Sequence, residues 1–463
     1  MSEHVFERKV RISRPAADVF AWHERPGAFE RLAPPWQKVR VLAQQGGIRD
    51  GARVTLKTYL GPIAQTWEVE HGDYMAGRQF RDRQVRGPFA AWDHLHRIDP
   101  DGEDACILTD TIRYRLPLGP LGELGAGFAQ RMLARVFAYR HRVTRADLES
   151  VNRPRRAGIG RVLITGASGL VGQALAARLT TAGCDVVKLV RREPRAPDEI
   201  AWDPQGGGVS WGNTAPFDAV VHLAGANIAG GRWTEARKRV ILQSRIQGTT
   251  TLARALAALP PARRPQVVVG ASAVGWYGDT GDGVARESDA VGQGFLAEVC
   301  RAWESALEPA EAAGIRTVAV RTGVVLTPAG GALARMLPAF RLGLGGRLGD
   351  GEQGMSWISP EDLTEVYCRV MSDGRLAGPV NAVAPGGVSN AEFTAVLGRV
   401  LGRPAVLPVP SVALRLTLGQ LAEEALLASS RVEPRVLREA AFTFRHPQLE
   451  NALRAVLGRG SES

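Results

Sequence analysis

Two architectures in series are what this sequence predicts: an α+β part built on an antiparallel sheet, then an α/β part with a doubly wound parallel sheet. Three observations carry that reading. Segments up to about residue 150 alternate apolar and polar residues with period two, whereas those after residue 160 are continuous apolar runs between amphipathic stretches. Between them lies "SVNRPRRAGIG", rich in Pro, Gly and Arg without apolar periodicity, as at a domain boundary. The length of 463 residues is also too great for one ordinary core.

The first part spans residues 1–150. "HVFERKVRI" reads as a half-buried strand, and "SRPAADVFAWHERPGAFERL" as a helix start with Ser13 capping and Pro15 in the first turn. "ARVTLKTYL", "AQTWEVEHG", "AWDHLHRIDP" and "CILTDTIRYRL" follow as period-two segments between Gly, Pro and Asp turns, the pattern of an antiparallel meander. "ELGAGFAQRMLARVFAYRHRVTRADLES" closes the part as a long helix, with Phe128, Met132, Leu133, Val136 and Phe137 at helical spacing. This order of elements, with "VFAWHERPGAFERLAPPW", resembles the helix-grip fold of the polyketide-cyclase and START-like superfamily. The resemblance implies a cavity under the long helix that takes an apolar ligand.

The second part, residues 160–406, alternates strand and helix: "RVLITGASGLVGQALAARLTTAG", "CDVVKLVRR", "FDAVVHLAGA", "PQVVVGASAVG" and "RTVAVRTGVVL". Such apolar strands between helices belong to a parallel sheet covered on both faces. Residues 407–457 read as helices with a Pro break, packing against the second part and carrying no site chemistry of their own.

"VLITGASGLVG" places Gly166, Gly169 and Gly172 directly after a strand and at the mouth of a helix. In a Rossmann-type fold the first glycine permits the tight turn, the second lets the backbone approach a pyrophosphate, and the third lets the helix pack against the sheet. Ser168, Leu170 and Val171 share the loop, and the helix N-terminus favours phosphate charge. The next strand ends in Arg191 and Arg192, with no carboxylate at its tip. An acidic residue there suits NAD, whereas arginine suits the 2′-phosphate of NADP, so NADP(H) is the expected cofactor. The bland reading is that the two arginines are merely solvated.

With "TGASGLVG", "HLAGANIAGGRWTEARK", "SRIQGT", "SAVGWYG", "RTGVVLTPAGGAL", "GLGGRLGDGEQGMSWISPEDL" and "NAVAP", some 300 residues resemble the atypical extended short-chain dehydrogenase/reductases of the nucleoside-diphosphate-sugar epimerase-like family. The whole chain resembles a bacterial variant fused to a helix-grip domain. The resemblance implies that Leu223, Ala224 and Gly225 line the cofactor and that Ala271 and Ser272 lie beside its nicotinamide. Arg321, Thr322, Gly323 and Val324 would border the cofactor on its substrate side. Ser272 matches the residue that steadies the substrate oxygen. The usual Tyr and Lys do not follow. Counted back from Glu304, their places fall on Phe295 or Leu296 and on Val299 or Cys300, none of which replaces a Tyr-Lys relay unless the Cys300 thiol is perturbed.

Other groups must then supply an acid, or the substrate must need none. Tyr277 is either that acid or a turn aromatic. Arg232 either clamps a substrate anion or closes over the cofactor, with Trp233 beside it, and Glu287 is either a base or a rim residue. "RLGLGGRLGDGEQGMSW" is either a lid with Gln353 and Trp357 at its base or a set of turns. Two functions stay open: an NADP(H)-dependent oxidoreductase or epimerase-like enzyme acting on a small molecule, and a non-catalytic NADP(H) sensor coupled to a carrier of an apolar ligand. The enzyme is favoured by the second pocket its loops shape, the sensor by the missing relay. In a serial variant the first domain hands its ligand to the second.

Composition narrows the classes further. With 45% hydrophobic and 23% charged residues and no apolar run of membrane-spanning length, the chain is expected in the cytoplasm, without a membrane span. The N-terminus shows no export signal. Four scattered cysteines and eight histidines without paired ligand spacing predict no metal. The net charge of +11 is spread along the chain rather than clustered, which argues against nucleic acid. Oligomeric state leaves no mark in the sequence.

Overall fold

The computed structural model describes residues 2–61, 63–152 and 154–460, and the chain divides into two units, one built on residues up to Val151 and the other on Asn152 to Arg459. Among the described residues no helix is long and apolar enough to cross a membrane. Arg153 of the interdomain run lies outside the described residues, and Pro154–Ala157 forms one 3-10 turn with Arg155 and Arg156 exposed.

In the first unit seven antiparallel strands lie in the order His4–Ile12, Cys106–Arg115, Ala91–Pro100, Gln79–Arg86, Ile63–Met75, Arg53–Leu60, Arg40–Gln45. Apart from the first strand, which pairs with the last from His4↔Tyr114 to Ile12↔Cys106, this is a meander. Alternate residues of Ala91–Pro100 and Cys106–Arg115 turn inward, as the period-two pattern requires. The helix Ala126–Glu149 buries Leu133, Val136, Phe137, Val143 and Leu148, but Phe128 is 58% exposed and lies outside the apolar stripe.

The interior of this unit is not uniformly apolar. Between an apolar cluster around Trp92 and Phe137 and another around Ile98, Leu108 and Trp22, the inner face carries buried His94, His96 and Asp110, with His141 of the long helix and His23 of Ala16–Glu24 facing them. The cavity there measures about 10 Å³ and is lined by His23, His96, Asp110, Arg140 and His141 among others. That is room for about one water. This small cavity beside the long helix is lined mostly by polar side chains. The reading that no histidines are spaced as a pair is corrected: His94 and His96 sit two apart on one strand, which puts both on one face.

The second unit is an eight-stranded sheet in the order Gly208–Val209, Glu199–Asp203, Asp185–Val190, Arg161–Thr165, Ala219–His222, Val267–Ala273, Arg316–Thr322, Gly378–Ala382. Its strands are parallel except Gly208–Val209. Val162, Leu163, Ile164, Val220, Val221 and Val267 to Val269 have no exposed surface, because helices cover both faces. The two strands within 199–209 have no counterpart in the sequence reading. "EIAWD" is short and carries acidic residues at both ends, which masks it. Residues 407–457 feed Leu437 and Phe442 into one core cluster and Leu449, Leu453 and Val456 into another.

Candidate functional site

Chain order reverses at Arg161–Thr165, which pairs with Asp185–Val190 on one side and Ala219–His222 on the other. Ligands of open α/β sheets bind at such reversals, outside the carboxyl ends of the strands. There the chain turns at Gly166, whose φ is +69°. A Cβ on Gly166 would lie 2.8 Å from the Leu223 carbonyl carbon and 2.9 Å from the Ala224 nitrogen, so the two loops meet backbone to backbone. Gly172, in the first turn of Leu170–Thr181, would carry a Cβ 2.2 Å from the Gly166 oxygen. Gly169 is less confined, with 3.2 Å to the same oxygen. Thr165 ties the strand ends together, its hydroxyl taking the amides of Leu223 and Ala224 at 3.1 and 3.2 Å and meeting His222 Nδ1 at 2.8 Å. Burial lowers the His222 pKa to about 4, so that ring is neutral. Ser168, Leu170 and Val171 complete the loop, with Leu170 39% exposed and Val171 packed on the core.

The two arginines at the tip of Asp185–Val190 part company. Arg192 forms a two-pronged bond to Glu199 at 2.6 and 2.9 Å, which with the Arg195 amide holds that carboxyl at about 2. The expectation that no carboxylate stands at this tip is thus corrected: Glu199 arrives from the neighbouring strand. Among the described residues, exposed Arg191 makes no hydrogen bond or ion pair.

Ser272, Tyr277 and Arg321 come together, joined by two groups the sequence did not single out as functional. Ser272 and Arg321 are register partners, as are Arg321 and Asn381, which sets the three in a row across adjacent strands. The Ser272 hydroxyl donates to Glu304 at 2.6 Å, and Arg321 holds both oxygens of Glu304 at 2.9 Å. Arg321 also donates to the Tyr277 hydroxyl at 3.0 Å and lies 3.8 Å over the Trp276 ring, while Tyr277 donates to Asn381 at 2.7 Å. Burial raises the Tyr277 pKa, against the lowering by Arg321. A phenol so engaged anchors its loop. Tyr277→Phe is therefore expected to lower stability by about 1–3 kcal/mol, because Asn381 and Arg321 each lose a buried partner. Chemical denaturation measures this, and an unchanged midpoint would free Tyr277 for another task.

Where a tyrosine and lysine would stand, the helix Phe295–Ser305 offers apolar packing: Phe295 and Val299 join Trp233, Ile241 and Leu421. Burial and Glu304 push the Cys300 thiol up to about 11, so it is not the exception that would replace them. The nearby cation is Arg245, on Glu235–Ala257. Buried, it donates to the carbonyls of Ala226 and Ile241 at 3.0 Å and stacks 4.6 Å from the Trp303 ring, beside Gly225. No carboxylate pairs with it among the described residues, and burial lowers its pKa to about 10. "SRIQGT" was the signal for it, though its role was not legible there.

The remaining candidates scatter. Arg232 is exposed, reaching the Leu416 carbonyl at 3.5 Å. Trp233 is buried edge-on against Phe295 with its N–H on the Ile228 carbonyl, and fully buried Trp357 donates to the Gly386 carbonyl, so neither presents its ring to a substrate. Gln353 donates its amide N–H groups to the carbonyls of Leu348 and Leu426, while its Oε1 is buried without a hydrogen-bond partner among the described residues. Glu287 accepts the amides of Asn381 and Val436 and is raised in pKa by burial. The glycine-rich stretch is stitched to Leu407 and Val409 by backbone bonds, and a Cβ on Gly346 would lie 1.8 Å from the Leu407 oxygen, so its glycines serve close packing. Ala271 pairs with Val320, Thr322 donates to the Val320 carbonyl, Gly323 crowds the Ser356 carbonyl, and Val324 pairs with Trp357.

Residues 162–382 match the NAD dependent epimerase/dehydratase family, 12–140 the family described as polyketide cyclase/dehydrase and lipid transport, and 409–456 a domain of unknown function. An epimerase family protein of Mycobacterium bovis is 46% identical over 292 residues, 63% of this chain and 96% of that protein. The crystal structure of a nucleoside-diphosphate sugar epimerase from Corynebacterium glutamicum is similar over 98% of this chain and 90% of that one, at 34% identity and a TM-score of 0.79. Human epimerase family protein SDR39U1, solved with NADPH, is 33% identical and matches 64% of this chain and 99% of its own, with a TM-score of 0.58.

Proposed function

The chain belongs to the NAD dependent epimerase/dehydratase family, and on that premise we propose that its second unit is an NADP(H)-dependent oxidoreductase or epimerase-like enzyme acting on a small anionic molecule. The observation that carries the nucleotide is the loop at Gly166 to Gly172, where Gly166 and Gly172 leave no room for a Cβ and a helix N-terminus opens. Unpaired Arg191 supports the 2′-phosphate, and the human relative solved with NADPH agrees. Leu223 to Gly225, Ala271 and the segment Arg321 to Val324 are the further walls of the proposed site. The nicotinamide, when bound, supplies or accepts hydride.

This chain's own residues bind and orient more than they move protons. Ser272 is held by Glu304, Tyr277 by Asn381 and Arg321, and Cys300 keeps its proton. Arg245, a buried cation without a carboxylate, is proposed to hold an anionic group of the cofactor or substrate beside Gly225. A proton, where one is needed, comes from water or the substrate. The apolar relay positions favour a second reading, in which the unit senses NADP(H) without turning it over. Similarity of residues 12–140 to the polyketide cyclase family supports ligand binding by the first unit, and the polar side chains lining its small cavity favour a polar occupant at that place.

Arg191→Glu tests the cofactor choice. A phosphate then meets a carboxylate instead of a guanidinium, so NADPH affinity is expected to fall at least tenfold, about 1.4 kcal/mol, with NADH affinity little changed. Titration calorimetry reads both. Equal losses for the two nucleotides would remove Arg191 from the 2′-phosphate.

A further inference from the structure

We propose that Asp82, His94 and His96, in the first unit, form a binding site for one divalent metal ion of the zinc type. The three donors stand on neighbouring strands, Asp82 opposite His94 in the register of Gln79–Arg86 with Ala91–Pro100, and their ligating atoms all lie within 4.8 Å of one another. Asp82 Oδ1 is 3.2 Å from His94 Nδ1 and 3.3 Å from His96 Nε2. Ligand atoms of a tetrahedral ion with bonds of ~2.0–2.1 Å stand ~3.3 Å apart, so these two spacings are those of a zinc coordination edge.

The other nitrogens of the same rings give the second, independent observation. His94 Nε2 and His96 Nδ1 both meet Asp110 Oδ1, at 2.9 and 2.7 Å, while Asp110 Oδ2 meets His141 Nε2 and Asp82 Oδ2 accepts from the Trp92 indole at 3.1 Å. A metal-bound histidine characteristically gives its second N–H to a carboxylate, which fixes the tautomer. A neutral imidazole has one N–H and one lone pair. With the N–H of each ring on Asp110, the remaining lone pairs of His94 and His96 face a carboxylate oxygen of Asp82. Three lone-pair atoms converge there, and one cation between them satisfies all three.

Protons alone satisfy the same contacts only if Asp82 keeps its own proton beside one imidazolium, or if both rings are imidazolium. Their centroids are 3.8 Å apart in the interior, where two like charges repel. Charge balance does not separate the cases, since Arg140 lines the same cavity and a single imidazolium would also offset the two carboxylates. The spacings at Asp82, longer than the ~2.7–2.9 Å usual for a charge-assisted hydrogen bond, favour the ion. Three protein ligands leave a position for water, as in zinc sites that act as Lewis acids.

Elemental analysis of tag-free, full-length protein purified without chelator is expected to find about one zinc-type ion per chain. Chelator-stripped protein titrated with cobalt chloride is expected to develop the intense visible bands of tetrahedral cobalt(II), and His96→Gln to lose them. The proposal is overturned if the stripped wild type develops no such spectrum, or if folded His96→Gln binds cobalt as tightly as wild type. Should His96→Gln fail to fold, anomalous diffraction at the zinc edge from zinc-soaked wild-type crystals decides: a peak among Asp82, His94 and His96 is expected, and its absence overturns the site.

Discussion

Arg321→Met is expected to lower the stability of the second unit by about 3–5 kcal/mol, because it strips a buried carboxylate of its cation. The side chains of Arg321 and Glu304 are 3% and 13% exposed, and one guanidinium serves Glu304, Tyr277 and the Glu287 carbonyl at once. Glu304 then holds the Ser272 hydroxyl alone. Arg321→Lys keeps the charge without the two-pronged geometry, and its loss is expected to be smaller. The double variant Arg321→Met with Glu304→Leu is expected to regain much of the deficit, since no charge is left buried and unpaired. Denaturant unfolding followed by a probe in this unit reads all three. A loss below about 1 kcal/mol in the single variant would mean that water reaches the pair and that the row from Ser272 to Asn381 is not a buried network.

Why this row escaped the sequence follows from how it is made. Ser272 and Glu304 are 32 residues apart and Tyr277 and Asn381 are 104 apart; strand register aligns Ser272, Arg321 and Asn381, while Glu304 reaches them from the helix Phe295–Ser305 and Tyr277 from the turn Val274–Tyr277. A sequence shows a residue's chemistry but not its cross-strand partner. The glycine loop was legible because turn and close approach demand a particular residue at a particular place, and the same demand left the third glycine visible. The tip of Asp185–Val190 was half legible: the arginines were in view, but Glu199 belongs to a strand too short to announce itself. In the first unit the meander was written in period-two alternation, and the very regularity of "AWDHLHRID" hid its exception. Polar residues fall on the inward positions of that strand, where the pattern leads one to expect apolar ones. Trp233 and Trp357 show the opposite failure, since an aromatic beside glycines looks like a binding surface until packing shows it covered.

Gly172→Ala and Gly169→Ala are expected to fail in different ways, and the difference locates the phosphates. The Gly172 Cβ would press to 2.2 Å on the Gly166 oxygen and 2.8 Å on the Ala167 Cα, both backbone atoms that cannot swing aside. Overpacking of that kind costs about 1–3 kcal/mol, so this variant should lose stability before any ligand is added, and NADPH binding with it. At Gly169 the nearest atom is 3.2 Å away, a contact that a shift of a few tenths of an ångström relieves. Its apo stability should therefore stay within about 0.5 kcal/mol of wild type. The second glycine of such a loop is needed for the backbone to approach a pyrophosphate. A methyl group there meets the ligand rather than the protein, and NADPH affinity should fall at least tenfold, about 1.4 kcal/mol, at unchanged stability. Denaturation of the apo variants and nucleotide titration separate the two effects. If Gly169→Ala binds NADPH as wild type does, no pyrophosphate passes over this loop, and the proposed cofactor site loses its main support. If instead both variants lose only stability, the glycines serve helix packing alone, and Arg191 loses its reason to stand unpaired at the neighbouring strand end.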